Sequence, residues 1–361
     1  MLSITQPLYI FPYGLVNHSH LSSTSKKKNF LPFGNNSFFL RAKIISRNKK
    51  GNAKTIADLS SIELLDWAHK RPREESETLL ETIENITKPR KAILGFSIKR
   101  PIIMGILNVT KDSFYNASAH LNQTHAINYG KKLHEKGADI IDVGGESTRP
   151  GAITIDPQLE EKRIIPIISK LSQKGICVSC DTRNLNTMKS AISSGAKIIN
   201  DISALTHCLE SPKIIANSNI HVILMHMKGT PKNMQKNPKY KSAPLDVYDF
   251  LKSRIFIARQ FGIKIEKIII DPGIGFGKLQ KHNEEILKYL PIFKGLGCPI
   301  MIGLSRKRML NKFSKSKNPK EQLPASLALA NFAFNNGVEI LRVHDPEESL
   351  QSLNVASTFR V

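Results

Sequence analysis

Three short polar side chains, Asp181, Asn200 and Asp271, each follow a short apolar run rich in Ile and Val. A carboxylate offers several acceptor sites and can accept hydrogen bonds from two neighbouring N–H groups at once. Such side chains suit the N–H edge of a flat heterocycle. Lys307, which follows another apolar run, could donate to a ring carbonyl and keep the nearby carboxylates charged. These four residues therefore predict a pocket for a polar heterocycle.

A second set of residues at corresponding positions suits an anion. Arg149 and Arg342 offer the guanidinium fork that binds phosphate oxygens through two hydrogen bonds. His344 and Ser305 could add further contacts, and Asn108 offers a hard oxygen of the kind that Mg²⁺ takes together with phosphate oxygens and water. The sequence therefore predicts a diphosphate pocket beside the heterocycle pocket, with Mg²⁺ as a cofactor at Asn108.

The elements that position these residues alternate regularly after residue 101. The predicted strands are Ile102–Leu107, Asp139–Val143, Ile176–Cys180, Lys197–Ile199, His221–Met225, Lys267–Ile270, Pro299–Ile302 and Val338–Leu341. The predicted helices cover about 124–136, 158–173, 185–194, 208–218, 245–261, 283–296, 321–336 and 346–356. Eight such βα units match a (β/α)8 TIM barrel, whose active sites lie at the carboxyl ends of the strands. An open doubly wound sheet is the competing architecture, but no GxGxxG motif follows the first strand.

Each predicted strand is followed by at least one polar residue, and in a barrel all of these residues reach the same rim. Eight polar residues at corresponding positions are hard to explain by stability alone. Two glycine-rich stretches, Gly144–Gly151 and Asp271–Lys278, would let the backbone approach an anion or a ring closely. Neither stretch is a Walker A motif, because neither contains Gly-Lys-Ser or Gly-Lys-Thr.

The chain before the barrel divides into two further parts. Residues 1–57 carry nine Lys and Arg and no Asp or Glu, and we interpret them as a basic, disordered extension. Their lack of acids is shared with organellar transit peptides. Residues 58–99 are interpreted as a helical linker or the remnant of an upstream module, with helices around Ile62–His69 and Glu74–Ile86. The catalytic domain is expected to span residues 100–361.

Charge and hydropathy exclude two classes of partner. The net charge of +23 invites a nucleic-acid interpretation, but the lysines after residue 101 are scattered and no nucleic-acid motif is present. No run approaches the roughly eighteen apolar residues of a membrane helix. We therefore predict neither a nucleic-acid nor a membrane partner.

The four cysteines do not form a disulfide framework. Cys177 and Cys180 have the CxxC spacing, but on a strand they would face opposite sides of the sheet. Buried structural thiols in a reducing compartment are therefore expected. The predicted location is the cytoplasm, with a mitochondrion or plastid as the alternative if residues 1–57 are a transit peptide.

The segments around these residues resemble the signatures of the dihydropteroate synthases. The first two matching segments are Met104–Phe114 and Ile141–Gly151. The others match in order: Ser179–Thr182, Ile199–Ser203, Leu224–Met227, Asp271–Lys278, Gly303–Lys307 and Arg342–Asp345. The resemblance covers about residues 100–361, and because it leaves residues 1–99 unmatched, the extension is expected to be dispensable for chemistry.

The resemblance implies a role for each matched residue. The residues implied in substrate binding are Thr148, Arg149, Asp181, Asn200, Asp271, Phe276, Lys307, Arg342 and His344. The residues implied in catalysis are Asp181, Lys307, Arg342 and His344. Asn108 would bind Mg²⁺ near the diphosphate, and Phe276, Arg149 and Pro150 would line the side that takes p-aminobenzoate.

The chain departs from the family pattern at three places. Lys111 stands where the family usually has Pro, and Asn116-Ala117-Ser118 stands where it usually has an acidic residue and two glycines. Both lie in the loop after the first strand, which the resemblance implies closes over the substrates. Ala204 stands where Gly is common.

The implied function is the joining of a dihydropterin diphosphate to p-aminobenzoate, a transferase step of folate biosynthesis and a target of sulfonamides. The implied assembly is a homodimer. A pterin-binding methyltransferase that uses methyltetrahydrofolate is the enzymatic alternative, although it has no need for the diphosphate residues. A degenerate, basic binding protein is the non-enzymatic alternative.

Overall fold

A computed structural model of the chain shows two packed parts, a small N-terminal module and a barrel. The described residues are 7–17, 30–35, 37–90, 92–98, 100–110, 119–152, 154–314 and 318–359.

The N-terminal module is a small antiparallel sheet with two helices. Its strands are β1 (Tyr9–Asn17), β2 (Leu31–Phe33), β3 (Ser37–Arg47) and β4 (Ala53–Ser60), and its helices are α1 (Ser61–His69) and α2 (Arg73–Thr87). Strand β3 pairs with β1 along one edge and with β2 and β4 along the other. The prediction of a disordered extension over residues 1–57 is therefore wrong for these strands, whereas the two predicted helices are confirmed.

Alternation of side chains along these strands explains why they fold. Tyr9 and Ile45 are paired neighbours that join the main apolar cluster of the barrel. Ile10 and Ile44, one residue away on each strand, join a separate cluster with α1 and α2. Because successive strand residues face opposite sides, the sheet lies between its own helices and the barrel and buries both faces.

Eight parallel strands form the barrel, after a short hairpin of β5 (Ala92–Ile93) and β6 (Phe96–Ser97). The barrel strands are β7 (Ile102–Asn108), β8 (Ile140–Gly144), β9 (Cys177–Asp181), β10 (Ile198–Asp201), β11 (His221–Met225), β12 (Ile268–Asp271), β13 (Met301–Gly303) and β14 (Ile340–Val343). The sheet runs continuously from β12 through β7 to β13. A parallel bridge between Ile270 and Ile300 joins its two ends. The predicted TIM barrel is confirmed, and the open doubly wound sheet is excluded.

A helix follows each barrel strand. These helices are α3 (Ala119–Glu135), α4 (Pro157–Ser172), α5 (Leu185–Ser193), α6 (Ser211–Ser218), α7 (Ala243–Gln260), α8 (Gln280–Lys288), α9 (Leu323–Asn335) and α10 (Pro346–Thr358). The single helix predicted over 283–296 instead divides, because α8 ends at Lys288 and a 3₁₀ segment covers Leu290–Leu296. Pro291 explains the break, since a proline inside an α-helix lacks the N–H donor and clashes with the preceding turn.

The barrel interior changes from apolar to polar along the strands. The layer nearer the amino ends of the strands is an apolar cluster of Ile102, Met104, Ile140, Ile198, Ile223, Ile269, Met301 and Ile340. Ile93 and Ile98 also belong to this cluster. Two positions further along their strands, and therefore on the same face, lie Asp142, Asn200, Asp271 and Arg342. The strand period thus aims polar side chains into the lumen at the carboxyl ends.

Cys177 packs against the inner cluster of the barrel and Cys180 belongs to the outer one. This confirms that the two thiols face opposite sides of β9. None of the helices in the described ranges is long and apolar enough to cross a membrane.

Candidate active site

Arg342 lies at the centre of the candidate site, between two buried carboxylates. Its Nε donates to Oδ2 of Asp142 at 2.6 Å, and its Nη2 donates to Oδ2 of Asp181 at 2.9 Å. Asn200 donates through Nδ2 to the same oxygen of Asp142 at 3.1 Å. The ends of β8, β9, β10 and β14 thus meet in one hydrogen-bonded cluster.

Burial and neighbouring charges set the protonation of this cluster. Burial raises the pKa of Asp181, and Asp142 raises it further, whereas Arg342 opposes both effects. Burial alone would lower the pKa of Arg342, but Asp142 and Asp181 raise it above its ordinary value. The guanidinium therefore stays charged and holds the two carboxylates in place.

Two buried acceptors in the cluster lack a partner. Oδ1 of Asp142 and Oδ1 of Asn200 accept no hydrogen bond from any described residue. An unpaired buried acceptor costs about 1–3 kcal/mol. A flat ligand with N–H groups at its edge would remove that cost, which is the chemistry expected of a heterocycle pocket.

Asp271 and Lys307 lie across the lumen from β8 and β9. Oδ1 of Asp271 accepts from the backbone N–H of Gly273 at 2.7 Å. Nζ of Lys307 donates to the carbonyl of Ile274 at 2.9 Å and lies 4.4 Å from the centre of the Phe276 ring. Burial lowers the pKa of Lys307 to about 8, although Asp271 acts in the opposite direction. The Lys307 ammonium can therefore lose its charge in mildly alkaline solution.

A second lysine, Lys278, organises the loop after β12. This residue is 3% exposed, and its Nζ contacts four acceptors. One is Nδ1 of His226 at 2.9 Å. The others are the backbone carbonyls of His226 at 3.2 Å, Gly273 at 2.7 Å and Phe276 at 3.0 Å. Gly273 has φ +68°, and a Cβ there would lie 2.0 Å from the His226 carbonyl. The turn therefore requires glycine, and Lys278 ties it to the end of β11.

His344 and Ser305 meet beside Arg342. Nδ1 of His344 lies 3.1 Å from Oγ of Ser305, which also accepts from the backbone N–H of His344 at 3.3 Å. Burial lowers the pKa of His344 to about 3, and Arg342 lowers it further. The imidazole is therefore neutral at physiological pH and offers an anion a hydrogen bond and no charge.

The loop after β8 carries Thr148, which is half-buried, and Arg149, which is exposed. Its base is anchored by an ion pair of 3.2 Å between the nearly buried Glu146 and Arg183. Glu160, fully buried on α4, accepts at one oxygen from three donors, Thr182 and Thr187 through Oγ1 and Asn184 through Nδ2, at 2.7–2.9 Å. This network holds the start of the loop while Arg149 remains accessible.

Asn108 ends β7 and is half-buried. A Cβ placed on Gly144 would lie 3.7 Å from its Oδ1 and 3.3 Å from Cβ of Asp181, so the amide oxygen lies next to the carboxylate cluster. No group of three His, Cys, Asp or Glu side chains within the described ranges could hold a metal ion. A single amide oxygen nevertheless fits Mg²⁺, which keeps several waters and takes one or two protein ligands together with substrate phosphates.

The structure brings most of the predicted site residues together. Asp181, Asn200, Asp271, Lys307, Arg342 and His344 line one end of the barrel, with Phe276 over Lys307. Lys111 and Asn116 lie outside the described residues, so their effect on loop closure stays a prediction. The backbone of Ala204 has φ +53°, which lies in the left-handed region that favours glycine. Glycine is the residue that the family commonly has at this position.

Sequence reasoning missed Asp142 as a site residue. It lies inside the apolar run of β8 and not after it, so a search restricted to the ends of strands passes over it. The available signal was the strand period, because Asp142 is two residues from Ile140 and must share its face.

Comparison with known proteins agrees with this geometry. Residues 104–344 match the model of a family described as pterin binding enzymes. The dihydropteroate synthase of Escherichia coli (strain K12) is 39% identical over 264 residues, which cover 72% of this chain and 92% of that protein.

Two solved structures from Xanthomonas albilineans show the same fold. The dihydropteroate synthase with 4-aminobenzoic acid has 38% identity and a TM-score of 0.69, covering 73% of this chain and 94% of the other. The synthase in complex with 7,8-dihydropteroate has 35% identity and a TM-score of 0.66. The match covers 73% of this chain and 95% of the other. Because the family match spans more than half of the chain and the relatives align over nearly their whole length, this chain belongs to the pterin-binding enzymes and, among them, to the dihydropteroate synthase family.

Proposed function

We propose that this chain condenses 6-hydroxymethyl-7,8-dihydropterin diphosphate with p-aminobenzoate to give 7,8-dihydropteroate and diphosphate, a step of folate biosynthesis. The observation that carries the proposal is the unpaired acceptor of Asn200, buried in a cluster with Asp142 and Asp181. It needs a donor from a ligand, and the pterin edge supplies N–H groups in one plane.

The pterin would be held by groups from opposite sides of the lumen. Asp271 would accept from the ring through Oδ2, since Oδ1 is engaged by Gly273. Lys307 would donate to the ring carbonyl, and Asp271 beside it opposes the loss of its charge. Asn200 and Asp181 would accept from the ring on the other side. Because all of these side chains are fixed by hydrogen bonds, the pocket needs little reorganisation to bind.

The reaction would be a substitution at the pterin methylene carbon. The carbon–oxygen bond to diphosphate breaks and the oxygen takes the electron pair, while the amine nitrogen of p-aminobenzoate forms the new bond and then loses a proton. Donors from Arg342, His344 and Ser305 would stabilise the charge that develops on the leaving diphosphate. An arylamine is a neutral nucleophile at pH 7, so no strong general base is required.

Asn108 is the residue proposed to hold Mg²⁺, with diphosphate oxygens and water completing the coordination. The ion would neutralise part of the diphosphate charge. Asn108→Ala should therefore weaken Mg²⁺-dependent binding of diphosphate more than binding of the pterin alone, measured by calorimetry. Equal losses for both ligands would contradict this assignment.

The decisive experiment measures release of diphosphate from the purified full chain. The proposal requires release that depends on both p-aminobenzoate and the pterin diphosphate, with 7,8-dihydropteroate as the second product. Methyl transfer from methyltetrahydrofolate would instead identify a pterin-binding methyltransferase. Pterin binding without turnover would identify a binding protein.

A homodimer is also proposed. Apolar side chains are exposed on the last two helices and just after them, with Phe332 41%, Val355 56% and Phe359 75% exposed. Exposed apolar patches commonly mark interfaces, and light scattering would give the mass in solution. The start of the catalytic domain near residue 100 and the choice between cytoplasm and organelle stay predictions.

A further inference from the structure

The loop between β11 and α7, residues 226–242, contacts both sides of the candidate site. Tyr240 Oη donates to the carbonyl of Gly277 at 2.7 Å, and Gln235 Nε2 donates to the carbonyl of Gly275 at 2.7 Å. The carbonyl of Pro231 accepts from the backbone N–H of Gly151 at 2.9 Å. Gly275 and Gly277 flank Phe276, and Gly151 closely follows Arg149. The loop therefore supports the two segments proposed to take p-aminobenzoate.

The other end of this loop is held by the N-terminal module. Nη1 of Arg47, on β3, donates to Oδ1 of Asp246 at 2.9 Å, and Nη2 donates to Oδ2 of Asp249 at 2.6 Å. The second oxygen of Asp246 accepts from the backbone N–H of Lys241 at 2.9 Å. Tyr9 Oη donates to Asp249 at 2.8 Å and accepts from Nε of Arg47 at 3.1 Å. One arginine thus joins the sheet, the start of α7 and the end of the loop.

The charges make Arg47 difficult to replace. Its side chain is only 18% exposed, so its ion pairs are less screened than surface pairs. The loop itself carries lysines at positions 228, 232, 236, 239 and 241 and no Asp or Glu. Asp246 and Asp249 would lose their ion pairs with Arg47 if it were replaced, and Asp246 is the residue that anchors Lys241.

We propose that Arg47 is a positioning residue of the active site, acting through Asp246 and the 226–242 loop on the segments that carry Phe276 and Arg149. This inference rests on the proposed function. It predicts a selective effect, because Asp142, Asp181, Asn200 and Arg342 hold one another on the barrel strands and do not depend on the loop. The p-aminobenzoate side should respond to Arg47 more strongly than the pterin side, of which only Asp271 and Lys307 contact the segment after β12.

The test compares Arg47→Met with Arg41→Met in the full chain. Both arginines lie on β3, but Arg41 pairs within the module, with Asp58 at 3.0 Å and with Tyr13 at 2.9 Å. Arg47→Met should raise the KM for p-aminobenzoate about tenfold, since ångström-scale misplacement can cost up to about a hundredfold. The KM for the pterin diphosphate should change less than about threefold. Arg41→Met should match the wild type.

A second measurement keeps the proposal open to disproof if Arg47→Met folds poorly. Hydrogen exchange should show faster exchange of the Lys241 and Gly151 amides in Arg47→Met and in the milder Tyr9→Phe, but not in Arg41→Met. Arg47→Lys, which keeps the charge but not the fork, should restore part of the affinity for p-aminobenzoate.

The outcomes separate this proposal from the proposed function. A wild type that does not condense the two substrates refutes the function itself. An active wild type with unchanged KM values in Arg47→Met refutes the positioning role. Equal rises in both KM values, with faster exchange across the whole barrel, also refute it, because they show general destabilisation.

Discussion

At the scale of single residues, the Asp142–Arg342–Asp181 cluster shows how the site is prepared before substrate arrives. Each carboxylate keeps Arg342 charged, and Arg342 limits the cost of burying two like charges so close together. Removing one partner of a buried ion pair leaves the other uncompensated, which commonly costs about 3–5 kcal/mol. The cluster therefore links substrate binding to the stability of the barrel end.

Asp271→Asn should selectively weaken the binding of the pterin. If the new amide keeps its oxygen on the Gly273 N–H, its NH₂ group faces the ring N–H from which Asp271 would accept. Charge-assisted hydrogen bonds are worth about 1.5–3 kcal/mol, and an unpaired buried donor adds a comparable penalty. The expected loss of affinity is about two to four orders of magnitude by calorimetry.

As a control, Asp201→Asn should lower stability, because Asp201 accepts from Ser203 and Leu205, but should spare pterin affinity. Affinity within about threefold of wild type in Asp271→Asn would remove Asp271 from the pocket.

The pH dependence of kcat/KM for the pterin diphosphate should be bell-shaped. Asp181 must be ionised to accept from the ring, and burial and Asp142 raise its pKa, so activity falls on the acid side at a higher pH than for an ordinary Asp. Lys307 gives the stronger, charge-assisted hydrogen bond only when it is protonated, and burial lowers its pKa to about 8, so activity falls again as the pH rises through about 8. Lys307→Arg should abolish the alkaline limb and keep the acid limb, since Arg stays charged. An unchanged alkaline limb in that variant would assign it to another group.

The sequence predicts the position of a polar residue where it follows an apolar run. Asp181, Asn200 and Asp271 each stand at the carboxyl end of such a run, and the barrel brings them to one rim. The roles of Asp142 and Lys278 could not be found in that way. Asp142 lies within a strand, and the four contacts of Lys278 come from turns whose backbone path the sequence does not specify.

At the scale of elements, the loop after β12 is shaped by its glycines together with contacts to the end of β11 and to the 226–242 loop. Seven of the eight barrel strands end one or two residues later than predicted. In β14 the reason is that the lumen residue Arg342 still pairs in the sheet. The helix predicted over 283–296 broke at Pro291, where local chemistry overrides the periodic pattern. Element type was therefore predictable, and the loop geometry that forms the site was not.

Lys278→Met should destabilise the protein through this loop. The substitution leaves Nδ1 of His226 and three carbonyls buried without their donor. At about 1–3 kcal/mol for an unsatisfied buried group, with partial relief by water, we expect the free energy of unfolding to fall by about 2–4 kcal/mol. Lys281→Met, at an exposed position on α8, is the matched control and should change it by less than about 0.5 kcal/mol. Denaturant titration gives both values, and equal effects of the two substitutions would contradict the role of Lys278.

At the scale of the whole molecule, one face of the N-terminal sheet joins the apolar core of the barrel through Tyr9 and Ile45, and the other face forms a separate cluster with α1 and α2. The module escaped prediction for a physical reason. Residues 1–57 mix aromatic residues with Lys, Ser, Asn and Pro, and β1 pairs across a long separation, Tyr9 with Ile45. Their stabilisation comes from packing on the barrel and on α1 and α2, so a search for local patterns interprets the segment as disordered. The barrel was predictable because eight short apolar runs alternate with segments of helical period.

Removing residues 1–89 should destabilise the barrel, contrary to the expectation that the extension is dispensable. Tyr9 is 1% exposed and packs edge-on against Tyr248, with ring centres 5.4 Å apart, and Asn85 donates to the carbonyl of Gly295 at 3.1 Å. Truncating a single buried aromatic side chain to Ala costs about 3–5 kcal/mol. We therefore expect a thermal midpoint lower by roughly 10 °C, or aggregation through the newly exposed apolar face.

Tyr9→Ala in the full chain should reproduce part of the loss. Tyr13→Ala, on the same strand but with its hydroxyl on Asp58 and Arg41 of the module, should not. Calorimetry of the four proteins decides the matter, and a shortened chain with the midpoint and both substrate affinities of the wild type would show that the module contributes nothing to the barrel.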